Sequence, residues 1–396
     1  MAPMMETFRL GPFVTPRIWT GLWQLSSNAW GSASVSKVRQ GMARHVELGY
    51  TAFDMVRARS AYPVGSVLLI AIGSSNALWP VADHYGSAEI IFGQFRGSLP
   101  PSQQVVGATK WCVFKRVVPT RAVVLAAVQE RMERMGTTSV DLLQASSRFH
   151  WQDYSDQNYL TALRILKDLK AEGLISAIGL CNFDAIRTDE ICTQLGPGAI
   201  ASNQVQFSII DTRPLHGMTD VCEKHGLRLL TYGTLCGGFL ADKWLGQPEP
   251  DLYSGNLTPS QRKYLDMIVK AWGTWSLFQS LLLTLRAIGD RHGGLSIANI
   301  ATRWVLDHPA VGAVIVGASL RTLSFISKTP PSSHTPPQSA RPPGARLGLS
   351  EHPDDNHRAF GFRLTDRDNA DIEAVLAHSN GRTIITSIGD CGAEYR

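Results

Sequence analysis

Four residues of this 396-residue chain could do chemistry together: Asp54, Tyr85, Lys110 and His150. Hydride arriving at a carbonyl carbon leaves a developing alkoxide, which needs a proton donor. A phenol such as Tyr85, with an ordinary pKa of about 10, is poorly matched to neutral pH. A nearby ammonium favours the phenolate and lowers that value, and Lys110 could supply it. A carboxylate such as Asp54 would hold the lysine in place. A histidine such as His150 can donate a hydrogen bond that orients and polarises the carbonyl oxygen. Trp23, Trp111 and Trp151 would supply apolar walls for a pocket. Each residue also has a plainer reading. A strand-end Asp is often a turn or cap residue, a Lys a solvated charge, a Tyr packing, and a His a satisfied core group. The joint pattern is what points to carbonyl reduction.

Such a set needs a scaffold that brings distant residues to one place. Short apolar runs alternate with longer helical patterns along the chain. The expected strands are Ile18–Trp23, Thr51–Asp54, Val105–Lys110, Val140–Gln144, Ala177–Leu180, Ala201–Gln206, Arg228–Tyr232 and Ala313–Val316. They are rich in β-branched and apolar residues with little alternation, as in strands buried on both faces. Residues 156–172 place Leu160, Leu163, Leu166 and Leu169 on one helical stripe, with Ser155 as the cap and Gly173 as the stop. Residues 297–307 repeat the pattern with Ile297, Ile300, Ala301, Trp304 and Val305 after Ser296, and Pro309 closes the helix. Residues 36–48 carry Val38, Met42 and Val46 and end at Gly49. Weaker stripes mark helices over 119–135, 184–195 and 215–226. Eight strands with intervening helices predict an α/β fold, a closed (β/α)8 TIM barrel over 1–396 as a single domain. An open sheet binding a dinucleotide would carry GxGxxG after its first strand, and Gly21-Leu22-Trp23-Gln24 is no such fingerprint. Barrel enzymes draw their working residues from the carboxyl ends of different strands, where Asp54, Lys110, His150, Asn182, Gln204 and Tyr232 all fall.

Composition narrows the classes. Apolar residues at 44% and charged residues at 18% exclude a disordered chain. A net charge of +5, with Lys and Arg scattered, gives no footprint for nucleic acid. The six cysteines form no CxxC or Cys/His cluster, which reads as reduced thiols and no metal site. The first twenty residues lack a basic-then-apolar signal pattern, and the apolar window Ser66 to Ile72 is too short to span a bilayer. The expectation is a soluble, cytoplasmic protein, a monomer or small homo-oligomer, acting on a small-molecule carbonyl substrate with no membrane or nucleic-acid partner.

The motifs GYTAFDM, ADHYGSAE, GATKW, DLLQ with FHW, IGLCNF, SNQVQFS and GTLCGGFLA occur in an order that resembles the aldo/keto reductase superfamily. The resemblance runs from about Ile18 to the last helix. It implies a (β/α)8 barrel that binds NADP(H), rather than NAD, in extended form without a Rossmann motif. Asp54, Tyr85, Lys110 and His150 match the family's catalytic tetrad. Asn182 and Gln204 match the residues that hold the nicotinamide carboxamide. Cys181 stands where the family usually has Ser. Tyr232 falls near the position that stacks on the nicotinamide, and Gly233, Leu235 and Gly237 lie in the pyrophosphate loop. Arg346, in ARLGLSEHPDDN, resembles the basic residue that reads the 2′-phosphate, and Asp355 and Asn356 resemble the adenine-edge pair. Members of the superfamily act in aldehyde detoxification and in secondary metabolism. Others are auxiliary or regulatory subunits with little catalysis, which stands as the alternative reading.

Two stretches break the rhythm. Residues 56–81 are apolar without a period, and residues 319–345 hold six prolines between Pro330 and Pro343. Asp54 and Tyr85 are 31 residues apart here. Removing 56–81 gives FDMADHYGSAE, and removing 319–345 gives VIVGARLGLSEH, both of which restore the family pattern. The two stretches are therefore expected to be non-family inserts arising from imperfect gene models, such as retained introns read in frame. Residues 145–148 look like a smaller instance. If the inserts are genuine, an insert-disrupted, inactive protein is the further alternative.

Overall fold

The computed structural model describes residues 4–22, 35–55, 87–113, 117–146, 158–253, 257–317, 320–321, 346–347 and 352–395. Inserts 56–81 and 319–345 lie outside these residues except for Leu320 and Arg321.

Eight parallel strands close into a barrel: β3 (Ile18–Gly21), β4 (Ala52–Asp54), β5 (Val106–Trp111), β6 (Val140–Ser146), β7 (Ile175–Cys181), β8 (Ser202–Gln206), β9 (Arg228–Tyr232) and β10 (Val311–Gly317). Each expected strand is present, so the (β/α)8 reading holds. Residues at alternate positions face inward, because successive side chains of a strand point to opposite faces. Trp19, Ala52, Ala108, Leu142, Ala177, Leu230, Ala313 and Ile315 fill the lower interior. One step further along the same faces come Asp54, Lys110, Gln144 and Gln204. The polar tier is thus set by the two-residue period above an apolar tier. Gly179 makes room for it, since a Cβ there would lie 2.7 Å from the Ser202 hydroxyl and 3.2 Å from Cγ of Gln144.

Below the apolar tier, a hairpin of β1 (Thr7–Leu10) and β2 (Phe13–Pro16) closes the amino-terminal mouth. Leu10 joins the interior cluster, with Phe8 and Phe13 packed against it. A Cβ at Gly312 would meet the Phe8 ring at 2.3 Å, and Gly11 turns the hairpin at φ +55° beside Ala177.

The helices cover the outside. They include α1 (Val35–Glu47), α2 (Ser87–Gly97), α3 (Arg121–Met135), α4 (Asn158–Ala171), α5 (Ala185–Leu195) and α6 (Met218–His225). These follow β3 to β8 in turn. The stripe Leu160, Leu163, Leu166 and Leu169 is buried on α4, each side chain contributing about 1.5–3 kcal/mol. Gly173 stops that helix at φ +86°, its N–H bonded to the Lys170 carbonyl. Its expected cap, Ser155, lies outside the described residues. Between β9 and β10 come α7 (Pro259–Asp266), a π-helical turn over Met267–Trp272, α8 (Trp275–Arg291) and α9 (Ile297–Leu306). Ser296 caps α9 as expected, accepting from the Asn299 N–H at 3.2 Å. Further along lie α10 (Pro353–Asn356), α11 (Asp366–Leu376) and α12 (Ile384–Ile388).

One expectation needs correction. Ala145 and Ser146, assigned to a short insert, belong to β6 and pair with Leu180 and Cys181 of β7. Their apolar or small side chains and full burial let the ladder run two residues further. Residues 147–148 lie outside the described residues.

Candidate active site

The carboxyl ends of β4, β5, β6 and β8 bring Asp54, Lys110, Gln144 and Gln204 together. Lys110 donates from Nζ to Asp54 Oδ2 at 2.6 Å and to the Met55 carbonyl at 3.2 Å. Gln204 and Gln144 donate from their Nε2 atoms to the other carboxylate oxygen, Oδ1, at 2.8 and 3.0 Å. Gln204 also donates to Gln144 Oε1 at 3.0 Å. All four side chains are buried. A buried ion pair persists where hydrogen bonds satisfy its remaining atoms, and the two glutamines do so here. The ammonium is therefore held in one place by two acceptors from β4 and its following residue.

Beside this tier, Asn182 follows β7 at φ +63°. A non-glycine residue in that region costs about 1–3 kcal/mol and persists where its surroundings require it. Its N–H donates to the Gln204 carbonyl at 2.9 Å, and its Oδ1 accepts from the Tyr232 hydroxyl at 2.9 Å. The remaining polar atom of the Asn182 side chain, Nδ2, can act only as a donor. Gln204 has both Nε2 protons engaged and offers Oε1, which the Cys181 thiol approaches at 4.0 Å. One donor and one acceptor side by side are what a carboxamide requires. The donor set of Asn182 and Gln204 therefore fits the group that the sequence resemblance implies.

The turn after β9 carries Gly233 at φ +73° and Gly237 at φ +64°. A Cβ on Gly233 would lie 2.2 Å from the Tyr264 hydroxyl, so α7 packs directly on this turn. Leu235 is partly buried between them. Lys263 of α7 donates to Gln206 Oε1 at 2.7 Å and sits 5.7 Å from the centroid of the Tyr232 ring.

The remaining expected residues are placed as follows. Trp111 is buried within the large apolar cluster that packs strands against helices, on the opposite face of β5 from Lys110. Asp355 accepts from Ser296 Oγ at 2.9 Å and Asn299 Nδ2 at 3.3 Å, which ties α10 to the start of α9. Asn356 lines a small cleft with Trp19, His45 and Tyr50. Arg346 pairs through its backbone with Arg321. Tyr85, His150, Trp23 and Trp151 lie outside the described residues.

Sequence reasoning gave no role to Gln144, Gln206, Asp211 or Arg213. Gln144 and Gln206 were visible in principle, since each stands two residues beyond an inward position. The Arg213 guanidinium and the Asp211 carboxylate, at 2.7 Å, form a fully buried pair that no local pattern announces. Among the described residues, no cluster of three or more His, Cys, Asp or Glu could hold a metal ion. Nor is any helix among them long and apolar enough to cross a membrane.

A parallel eight-stranded barrel with a buried lysine–carboxylate pair at the carboxyl ends of its strands places the chain among (β/α)8 barrels with a polar mouth. The family model described as the aldo/keto reductase family matches residues 17–323. The chain belongs to that family. It is 22% identical over 371 residues to the aldo-keto reductase YhdN of Bacillus subtilis, covering 92% of this chain and 90% of that protein. It is 29% identical over 175 residues to flagellar radial spoke protein 5 of Chlamydomonas reinhardtii. That match takes in 40% of this chain, and the chain spans only 32% of the flagellar protein. Among solved structures, a glycerol dehydrogenase of Gluconobacter oxydans superposes with a TM-score of 0.63 at 19% identity, covering 94% of this chain and 95% of that one. An aldo/keto reductase from Klebsiella pneumoniae, in complex with NADP and acetate, gives a TM-score of 0.59 at 16% identity over 94% and 96%. At these identities the structural likeness speaks for the fold.

Proposed function

We propose that the protein reduces an aldehyde or ketone to an alcohol with NADP(H), with NAD the less suited cofactor. The observation that carries this reading is the buried Lys110–Asp54 pair at the barrel mouth, with Nζ and Oδ2 2.6 Å apart. Asn182 and Gln204 would hold the carboxamide, Tyr232 would face the nicotinamide ring, and Gly233, Leu235 and Gly237 would pass under the pyrophosphate. Cys181 would stand beside the carboxamide, and Arg346, Asp355 and Asn356 would lie toward the adenosine end. When bound, the reduced cofactor supplies a hydride to the carbonyl carbon. Tyr85 gives its phenolic proton to the carbonyl oxygen as negative charge develops there. Lys110 favours the resulting phenolate, and Asp54 fixes the lysine for that task. His150 donates a hydrogen bond that orients the carbonyl, and solvent returns the proton to Tyr85. Trp23 and Trp151 are the proposed apolar walls; Trp111, packed against the helices on the outer face of β5, is withdrawn from that role.

The chain is read as one barrel unit over 1–396, with 56–81 and 319–345 as non-family inserts. Tyr85→Phe, made in the chain lacking both inserts, tests the assignment. The expected result is loss of turnover with NADPH binding retained, because the variant lacks the proton and keeps the ring. Turnover equal to that of the parent would defeat it.

A further inference from the structure

A buried arginine, Arg213, holds the segment that follows α12 against the candidate site. Arg213 has five guanidinium protons, and all five meet acceptors. Nε and one Nη2 proton go to the two oxygens of Asp211 at 2.9 and 2.7 Å. Nη1 goes to the Asp390 carbonyl at 2.9 Å and to Glu394 Oε2 at 2.8 Å. The second Nη2 proton goes to Glu394 Oε1 at 3.1 Å. Asp211 in turn accepts from Gln206 Nε2 at 2.7 Å, so the clamp is tied to the end of β8. Burial pushes the Glu394 carboxyl up, yet the hydrogen bonds and charge of Arg213, with Lys263, hold it below the ordinary carboxylate range.

The clamp fixes what lies between its two anchors. Gly392, at φ +80°, is pressed onto Asn182. A Cβ on Gly392 would fall 2.1 Å from the Asn182 carbonyl oxygen and 2.9 Å from its Cβ. Asn182 is itself in the left-handed region, the conformation that needs support from its surroundings. Its N–H and its side chain are held by Gln204 and Tyr232, and its carbonyl side is covered by Gly392.

We propose that segment 390–394 is a strap whose Gly392 and Glu394 are positioning residues for Asn182, and so for binding of the nicotinamide end of the cofactor. The proposal rests on the reading that Asn182 faces the carboxamide. Arg213 sets the strap, and Gly392 transmits its position by backbone contact alone. Any side chain at 392 lifts the strap or turns Asn182, and the donor that Asn182 presents moves with it.

The test uses the full chain with Gly392→Ala, Glu394→Gln and, as a control, Gly198→Ala. Gly198 has a similar φ of +71° with open space around its Cβ. NADPH affinity is read from quenching of tryptophan fluorescence, alongside thermal unfolding and steady-state kinetics. Gly392→Ala is expected to weaken NADPH binding about tenfold or more, since small misplacements at a site are costly. Glu394→Gln is expected to weaken it severalfold, with KM for NADPH rising more than kcat falls, and Gly198→Ala leaves it unchanged. Should Gly392→Ala fail to fold, Glu394→Gln decides, because it keeps the Arg213–Asp211 pair. Unchanged affinity in the folded variants overturns the strap while leaving the function intact. Absence of NADPH binding in both the unaltered chain and the chain lacking 56–81 and 319–345 overturns both.

Discussion

Replacing Lys110 by methionine isolates the central pair. The change keeps most of the side-chain volume and leaves the Asp54 carboxylate buried with only Gln144 and Gln204 as donors. At 2.6 Å the screened attraction between the two charges is about 6 kcal/mol for an effective dielectric near 20. Desolvation of both groups offsets much of that sum, so the pair adds little net stability when intact. Removing one partner leaves the desolvation uncompensated, and Lys110→Met is expected to lose about 3–5 kcal/mol. Adding Asp54→Asn removes the stranded charge and should recover about 2 kcal/mol as a coupling term. Urea unfolding of the parent, both single variants and the double variant measures this, with m-values held constant as the check on two-state behaviour. Turnover is expected to vanish in all three variants. A loss of under about 1 kcal/mol in Lys110→Met, the range of solvated pairs, would refute the argument.

Two further outcomes follow from the sequence and the fold. Burial lowers the pKa of His45 and His308, outweighing the opposing effect of the Gly41 and Trp304 carbonyls that their Nδ1 atoms meet. Below about pH 6.5 the unfolded chain takes up these protons first, so stability is full above that value and declines as pH falls toward the folded values. The thermal midpoint should drop between about pH 7 and pH 5, less so in His45→Gln; a rise on acidification would contradict the burial argument. Deleting 56–81 and 319–345 should raise NADPH-dependent reduction above that of the full chain. Equal or lower turnover, or transcripts that run continuously through both stretches, would show the inserts to be genuine parts of the protein.

The barrel was legible because strands buried on both faces leave an apolar signature, which most of the eight carried, and because the spacing of the alternation placed the polar strand Ser202–Gln206 among them. The helices α4 and α9 were legible for a similar reason, each pairing a leucine- or isoleucine-led stripe with a serine or glycine boundary. The basal hairpin was not, since its strands of four residues are too short for a pattern and the Gly11-Pro12 turn stands alone. The α2 helix, SAEIIFGQFRG, carries a glycine where Gly93 must approach the Met135 carbonyl, which weakens its local preference for helix. At the site, the strand-end positions of Asp54 and Lys110 could be read from chain order. The inward position of Gln144 could be read in the same way, but its bridging role could not, because that depends on two neighbouring strands in register. Arg213 and Glu394, 181 positions apart, meet only through the closed fold.

The hairpin beneath the barrel separates two kinds of work. Phe8 and Leu10 seal one end against Gly312 and Trp19, while Asn182 and Tyr232 stand at the other. Among the described residues, the candidate site and the foundations of the fold therefore occupy opposite poles of the barrel. Substitutions at the carboxyl ends of the strands can then alter the candidate site without disturbing the base on which the wall stands.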